Sequence, residues 1–229
     1  MARRKRILLV DDDQDVLELL EYNLTMQGYK VACVDDPSEA TKTAYKFDPD
    51  LIVLDILMRP TNGLEVCRQF RRIDNLKNTP LFFLTAKNEA SIVQIALDCG
   101  GDDLIFKTMG LRSLIMKINS VLLEGLVIKK RITNLMVGNL VLHRKDCTVS
   151  TGKRSVQLSA NEFELLFFLA QNPTKVVTSQ NIKNTIWGPD INQLASPIGD
   201  FIGRISEKLK ANWIKEVKEN HYRLNSRLV

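Results

Sequence analysis

The sequence predicts an α/β fold in its N-terminal half, a five-stranded doubly wound parallel sheet, followed by a smaller domain of short strands and three helices. Two observations predict the sheet. Short unbroken apolar runs recur along this half, which is typical of strands buried on both faces. A stretch with apolar residues at helical spacing follows each run, and this alternation favours parallel strands with helices on both faces of the sheet.

Each strand–helix repeat carries its own end signals. The first apolar run stops at three aspartates, and the helix after it closes at Gly28, a residue type that favours helix C-termini. Asp36-Pro37 opens the second helix, because proline is tolerated in a first helical turn. The later helices are predicted over Gly63–Ile73, from about Glu89 to Cys99, and over Leu111–Leu123. The predicted strands are Ile7–Val10, Lys30–Val34, Leu51–Leu54, Pro80–Leu84 and Leu104–Phe106.

Polar residues stand at the C-terminal ends of these strands, where an open α/β sheet places its ligand crevice. Asp11 and Asp12 follow the first strand, Asp55 the third, Thr85 the fourth and Lys107 the fifth. Clustered carboxylates repel one another, and Mg²⁺ suits them because it keeps places for water and phosphate oxygens. Asp55 then becomes a carboxylate nucleophile for a phosphoryl group, with Lys107 and Thr85 able to contact phosphate oxygens. Taken singly, each residue also fits an ordinary cap, loop or strand-end role.

Residues 5–123 resemble the receiver domain of bacterial two-component response regulators. The motifs that fall at the family's spacings are Leu9-Val10-Asp11-Asp12-Asp13, Leu54-Asp55-Ile56, Thr85-Ala86 and Lys107. The resemblance implies that Asp55 accepts phosphate from a sensor histidine kinase and that Thr85 and Lys107 respond to it. The magnesium ligands that it implies are Asp11, Asp12, Asp55 and the backbone carbonyl of Leu57.

Three positions depart from the family's pattern. Thr108 follows the lysine where the family has proline, usually after a cis bond. A cis bond before a non-proline residue costs about 3–4 kcal/mol, so we predict a trans Lys107–Thr108 bond or a strained loop. Leu104 stands where an aromatic ring usually reports phosphorylation, and Arg59 stands where the family has proline. The acceptor set is intact, whereas the transmission of the signal stays open.

The pattern changes in the second half of the chain. Residues 125–132 are predicted to be a basic linker between a first domain, 1–124, and a second, 133–229. Short strands from Met136 to Leu158 precede a capping box that opens a helix at Ser159-Ala160-Asn161-Glu162. The elements predicted after that helix are two more helices, Ser179–Trp187 and Ile198–Leu209, and a hairpin of Trp213–Val217 and His221–Leu224.

This half resembles the winged helix-turn-helix effector domain of the OmpR/PhoB group. The residues that carry the likeness are Leu158–Leu166, Ile186-Trp187-Gly188, Arg204, Lys208-Leu209 and Tyr222-Arg223-Leu224. The resemblance implies a third helix in the major groove of DNA and a wing at the minor groove. The predicted DNA contacts are Arg204, Lys208, Lys218, His221 and Arg223. The third helix also carries two glycines and two acids, Gly199, Asp200, Gly203 and Glu207, so sequence-specific readout stays open.

Charge and composition favour a nucleic-acid partner and give no sign of a membrane segment. The net charge of +5 divides into −3 over residues 1–124 and +8 over 125–229, and a basic half indicates contact with a polyanion. The four cysteines show no metal-binding spacing and are predicted to be reduced thiols of a cytoplasmic protein. No apolar run approaches the ~18 residues of a membrane span.

The predicted function is a phosphorylation-controlled, DNA-binding transcription regulator that is not an enzyme. Its predicted partners are the kinase, promoter DNA with tandem half-sites, and a second copy of the chain. The second copy is expected to bind through helix 4, strand 5 and helix 5, where charge pairs come from Lys87, Asp103, Arg112 and Lys117. Two alternatives are a regulator or protein-interaction module that works without phosphate, and a phosphohydrolase that uses the acid run after the first strand.

Overall fold

The computed structural model describes residues 3–86, 90–129, 132–152, 154–187 and 197–225. The described chain divides into two units. The N-terminal unit reaches Leu123, and the C-terminal unit takes in Glu124–Ile128 and continues from Ile132. Each unit has its own hydrophobic core. No helix in the described part is long and apolar enough to span a membrane.

Five strands alternate with five helices in the N-terminal unit. The strands are β1 (Arg6–Val10), β2 (Lys30–Val34), β3 (Leu51–Asp55), β4 (Leu81–Thr85) and β5 (Asp103–Phe106). The helices are α1 (Gln14–Met26), α2 (Ala40–Phe47), α3 (Gly63–Arg71), α4 (Ala90–Asp98) and α5 (Gly110–Leu122). All five strands are parallel, in the order β2-β1-β3-β4-β5, which confirms the predicted doubly wound sheet.

Local signals place the helix ends beside the C-terminal edge of this sheet. The Asp13 side chain caps α1 by accepting from the backbone N–H of Asp15 and Val16, and the Asn62 side chain caps α3. At the second helix the prediction was early, because Asp36-Pro37 opens a 3-10 turn and α2 begins only at Ala40. The predicted start of the fourth helix, near Glu89, lies outside the described residues.

The C-terminal unit combines two antiparallel sheets with three helices. Strands β6 (Asn134–Val137), β7 (Leu140–His143), β8 (Thr148–Thr151) and β9 (Arg154–Gln157) form a four-stranded meander. The helices are α6 (Ala160–Gln171), α7 (Ser179–Ile186) and α8 (Ile198–Leu209). Strands β10 (Val177–Thr178), β11 (Ile214–Lys218) and β12 (His221–Leu224) form a second sheet in the order β10-β12-β11. The predicted capping box is present at the start of α6. Strand β10 was not predicted from the sequence, because two residues are too few to show the alternation of apolar and polar side chains that indicates a strand.

Part of the predicted linker packs as an element of the C-terminal unit. The Leu126 side chain is buried in the core of that unit. The backbone of Val127 exchanges two hydrogen bonds with the Asn172 side chain, at 2.7 and 3.1 Å. The physical reason is the apolar run in the middle of this segment, which gains more from burial than a solvated linker would.

Candidate functional site

Residues from distant parts of the sequence meet at the C-terminal edge of the parallel sheet. Asp11 directly follows β1, Asp55 is the last residue of β3, and Lys107 directly follows β5. The Lys107 Nζ lies 2.8 Å from Asp11 Oδ2 and 3.0 Å from Asp55 Oδ1. Asp11, Asp12 and Asp55 each offer a carboxylate oxygen, and these three oxygens all lie within 4.8 Å of one another. The predicted convergence of the three aspartates and Lys107 at the strand ends is therefore present.

Backbone N–H groups hold the three carboxylates in place. Asp11 Oδ1 accepts a hydrogen bond from the Asp13 N–H at 3.1 Å, and Asp55 Oδ2 accepts one from the Leu57 N–H at 2.7 Å. Asp12 Oδ2 accepts one from the Arg59 N–H at 3.2 Å. Asp11 and Asp55 are only 2% and 4% exposed, whereas Asp12 is exposed. The cluster thus has two buried oxygen ligands and one at the solvent edge.

The electrostatics of the cluster favour an additional cation. Burial raises the pKa of the Asp11 carboxyl above its ordinary value, and the hydrogen bond from Lys107 only partly offsets this, while nearby Asp55 raises the pKa further. Burial acts to lower the pKa of Lys107, but its hydrogen bonds to Asp11 and Asp55 outweigh burial, so the net pKa is raised. The Lys107 ammonium group contacts two of the three acids, Asp11 and Asp55. A set of carboxylate oxygens with excess negative charge fits a hard divalent cation such as Mg²⁺.

Two further predicted site residues lie beside this cluster. Thr85 is the last residue of β4, is fully buried, and pairs in register with Phe106, the residue before Lys107. Leu57 contributes its N–H to Asp55, as described above. The predicted roles of the Leu57 carbonyl and of the Thr85 hydroxyl stay predictions.

Gly63 is a site residue that the sequence reasoning did not identify. It is the first residue of α3, and its N–H donates to the Ile56 carbonyl at 3.0 Å. A Cβ at this position would lie 1.9 Å from the carbonyl oxygen of Asp55, so only glycine lets α3 approach the end of β3 so closely. The available signal was a glycine shortly after Asp55, but Gly63 was interpreted only as the start of a predicted helix.

In the C-terminal unit, Arg204 and Lys208 of α8 both bind Glu162 of α6. Arg204 Nε lies 3.2 Å from Glu162 Oε1, and Lys208 Nζ lies 2.7 Å from Glu162 Oε2. Glu162 also accepts from the Ser159 N–H at 2.9 Å. Burial acts to raise the pKa of Glu162, but the hydrogen bonds from Lys208 and Ser159 outweigh it and lower the net pKa. The sequence identified Glu162 as a cap and not as the partner of two cations 42 and 46 residues away.

The other predicted DNA contacts lie on the hairpin of β11 and β12. Lys218 is exposed at the end of β11, and His221 and Arg223 are partly exposed on β12. The His221 Nδ1 lies 2.7 Å from the carbonyl oxygen of Glu219. That these residues touch DNA stays a prediction.

Comparison with known families now identifies the chain. The family described as the response regulator receiver domain matches residues 7–119, and the family described as transcriptional regulatory protein, C terminal, matches residues 152–224. The chain belongs to the two-component response regulators. Its receiver domain is joined to a DNA-binding effector domain of the OmpR/PhoB type, so the regulator acts on transcription, as predicted.

Solved structures agree with this fold. The response regulator DrrB from Thermotoga maritima, described as an OmpR/PhoB homologue, shares 23% identity with a TM-score of 0.56. The match covers 98% of this regulator and all of DrrB. The chemotaxis protein CheY4 of Vibrio cholerae matches at 26% identity, with a TM-score of 0.51, and covers 52% of this regulator and all of CheY4. A putative response regulator from Chloroflexus aurantiacus matches at 29% identity, with a TM-score of 0.50, over 53% of this regulator and 99% of that chain.

The positions that depart from the family's pattern can now be located in the receiver domain. The Lys107–Thr108 bond is trans, as predicted, and Lys107 begins a 3-10 turn that ends at Met109. Leu104 lies within β5 and is only 6% exposed, so an aliphatic side chain fills the position of the family's aromatic ring.

One expectation about the surface of the receiver domain was wrong. Asp103 and Lys117 were expected to pair with a second copy of the regulator, but they bind each other within one chain. Both side chains are buried, and a buried charge costs much less free energy beside a charge of opposite sign than alone. Arg112 is exposed, and Lys87 lies outside the described residues.

Proposed function

We propose that a sensor histidine kinase phosphorylates this regulator on Asp55 and that the phosphate controls its binding to DNA. The observation that supports this most is the position of Asp55. It lies among three carboxylates, one oxygen is held by the Leu57 N–H, and the other is 3.0 Å from Lys107. The regulator is then a switch, not an enzyme that turns over substrate.

The chemistry is a phosphoryl transfer to a carboxylate. An oxygen of Asp55 attacks phosphorus, the new O–P bond forms, and the P–N bond of the donor phosphohistidine breaks, with its electron pair returning to the imidazole nitrogen. Lys107 neutralises charge on the phosphoryl oxygens, and Thr85 donates a hydroxyl hydrogen bond to one of them. The residues that would hold Mg²⁺ are Asp11, Asp12, Asp55 and the Leu57 carbonyl. Bound Mg²⁺ supplies charge that stabilises the transfer.

The first test is labelling by a small acyl phosphate in the presence of Mg²⁺. The regulator is expected to take up one phosphoryl group per chain, and Asp55→Asn is expected to take up none, because an amide is not a nucleophile of this kind. Asp74→Asn serves as the matched control, since the Asp74 side chain is 97% exposed and pairs at the surface with the nearby Lys77. Equal labelling of the regulator and the Asp55→Asn variant would remove Asp55 from the proposal.

Magnesium alone is expected to stabilise the receiver domain. A ligand that binds only the folded state at 100 times its Kd adds about 2.7 kcal/mol to the free energy of unfolding. Asp12→Asn removes the exposed ligand without disturbing the buried core, so its unfolding temperature should no longer rise with Mg²⁺. The Asp74→Asn control should respond like the unaltered regulator in thermal unfolding followed by calorimetry. A magnesium response that survives in Asp12→Asn would argue against this metal site.

The phosphate is proposed to act through the surface formed by α4, β5 and α5. It adds roughly two negative charges at pH 7 and draws Lys107 and Thr85 toward it. We propose that this shift favours a homodimer through that surface, which places two effector domains on tandem half-sites of a promoter in the cytoplasm. The domain boundaries that we propose are 1–124 and 133–229.

A regulator that works without phosphate is the second candidate. The observation that favours it is the buried aliphatic side chain of Leu104, which has no ring to rotate. Beryllofluoride, a phosphate mimic, distinguishes the two candidates. If it changes neither the oligomeric state nor the affinity for DNA, the candidate without phosphate is preferred.

A further inference from the structure

The segment Glu124–Ile128, which we call the strap, packs on the effector domain. Leu126 and Ile128 are only 4% and 7% exposed, whereas Val127 between them is 38% exposed. Leu126 belongs to the hydrophobic core of that domain. This alternation is typical of an extended segment that lays one face on a domain. The strap lies between the two family matches, which end at residue 119 and begin at residue 152, so those matches do not account for it.

Side chains of the effector domain hold the strap at two points. The Asn172 side chain accepts a hydrogen bond from the Val127 N–H at 2.7 Å and donates one to the Val127 carbonyl at 3.1 Å. At the start of the strap, the Asn181 amide donates to the Glu124 carboxylate at 2.7 Å, and the Lys175 ammonium group donates to the Glu124 carbonyl at 3.2 Å. Release exchanges these bonds for bonds to water, so each one contributes only modestly to docking. The docked strap is the major form, and a released minor form is accessible.

The docked strap leaves no unbound residue between the receiver helix α5 and the effector domain. The Leu123 N–H still donates to the Asn119 carbonyl of α5 at 2.9 Å, and the next residue, Glu124, is already bound to the effector domain. One peptide unit therefore joins the two, and it spans about 3.8 Å between Cα atoms. Ile132, beyond the strap, packs against the effector core. Once the strap is released, the chain from Leu123 to Ile132 can extend to roughly 30 Å.

The proposed assembly on DNA needs this longer connection. A dimer that uses the same surface of both receiver domains has twofold symmetry, whereas tandem half-sites repeat in one direction along the duplex. Two chains with identical rigid connections would carry effector domains related by the same twofold axis, which suits an inverted repeat. At least one effector domain must therefore change its place relative to its receiver domain. The distance involved is comparable with the separation of half-sites one helical turn apart, roughly 34–36 Å.

We propose that the strap is a releasable restraint, and that its undocking in at least one of two chains lets a twofold receiver dimer bind tandem half-sites. This inference rests on the proposed dimer and its tandem half-sites, and it names the segment that regulates them. Only a chain with a released strap is competent for the second half-site, so the apparent affinity for two half-sites falls in proportion to the released fraction. The affinity for a single half-site does not depend on that fraction.

Gly125→Ala favours release of the strap without removing a contact. Gly125 has a φ of 63°, a backbone conformation that strains alanine, and a Cβ there would lie 3.4 Å from the flexible end of the Lys175 side chain. Because the strain acts on the docked strap, the released fraction rises, and we expect about tenfold tighter binding to a duplex with two half-sites. Asn181→Ala, which removes a hydrogen bond to Glu124, should act in the same direction. Gly152→Ala is the matched control, because its φ of 59° places the same strain in the turn between β8 and β9.

The measurement uses the full chain with beryllofluoride and a duplex that it selects from a random library. The same duplex with one half-site scrambled reports direct effects on DNA contacts, and its affinity should be equal in all variants. Hydrogen exchange at Val127 reports the strap itself, because the Val127 N–H is bound to Asn172 in the docked form. This protection should be lost in at least one chain of each pair on two half-sites. Both tryptophans of the chain, Trp187 and Trp213, lie in the effector domain, so their fluorescence verifies that each variant is folded.

The outcomes separate the inference from the proposed function beneath it. Tandem binding with Val127 protected in both chains would overturn the inference and leave the proposed function intact. Gly125→Ala and Asn181→Ala variants that bind two half-sites no more tightly than Gly152→Ala would also overturn it, as would an equal gain on the scrambled duplex. A regulator that forms no dimer with beryllofluoride, or that selects single or inverted half-sites, would instead refute the proposed assembly and the inference with it.

Discussion

Gly63→Ala is expected to destabilise the receiver domain by at least about 3 kcal/mol, the upper part of the usual cost of overpacking. The added Cβ would lie 1.9 Å from the carbonyl oxygen of Asp55, 2.9 Å from its carbonyl carbon and 3.2 Å from the Cα of Ile56. All three atoms belong to the backbone of β3 and its continuation, so no side-chain rotation relieves the overlap. Either α3 moves away from the sheet or Asp55 shifts.

Urea unfolding of the full chain measures this effect. The receiver transition, followed by far-ultraviolet circular dichroism, is expected at lower urea, whereas the tryptophan transition of the effector domain stays in place. Labelling by the acyl phosphate should fall together with stability. Gly203→Ala is the control, because a Cβ there meets nothing within 4 Å and alanine favours a helix over glycine by about 1 kcal/mol. A Gly63→Ala variant with unaltered urea midpoint and labelling would show that the approach of α3 is not close.

Lys117→Met is expected to cost about 3–5 kcal/mol of receiver stability, the usual cost of breaking a buried ion pair. Asp103 is fully buried and Lys117 is 3% exposed. Removing the ammonium group therefore leaves a buried carboxylate without its counter-charge. The double variant Asp103→Leu, Lys117→Met removes both charges together. Its stability is expected to return to that of the unaltered regulator or to exceed it, because the cost of removing both charges from water also disappears.

A double-mutant cycle in urea provides the measurement. The coupling free energy between positions 103 and 117 should account for most of the loss in the single variant. Lys77→Met is the control, since Lys77 pairs with Asp74 at the surface and its loss should barely move the transition. If the double variant were as unstable as Lys117→Met, the loss would come from packing and not from the charge left behind.

The parallel sheet and the acidic cluster were predictable because their signals are local. Each buried strand is a short apolar run, and the rule that places ligands at strand ends brings Asp11, Asp55 and Lys107 together without any knowledge of loop geometry. The helix cap at Ser159 was equally visible, since a cap depends on residues within one turn.

The remaining features depend on contacts that no local pattern encodes. Glu162 contacts Arg204 and Lys208 only after α6 and α8 pack together. The capping box explained Glu162 from the sequence alone, so its ion pairs with α8 were not predicted. Asp103 and Lys117 are charged residues that ordinarily lie at a surface, so a buried pair runs against the expectation from residue type. The short distance from Gly63 to the Asp55 carbonyl is a property of the loop between β3 and α3, whose path the sequence does not reveal.

The ammonium group of Lys107 serves two acids on different strands, and this sharing has a mechanical consequence. In the resting receiver domain it ties the ends of β1, β3 and β5 into one edge. A new anion attached to Asp55 competes for the three N–H donors of Lys107. A hydrogen bond that Lys107 donates to this anion is therefore one that it no longer donates to Asp11. If Asp55 is phosphorylated as proposed, the change therefore reaches β1 and the loop that leads into α5 through Lys107, before any larger movement of the backbone.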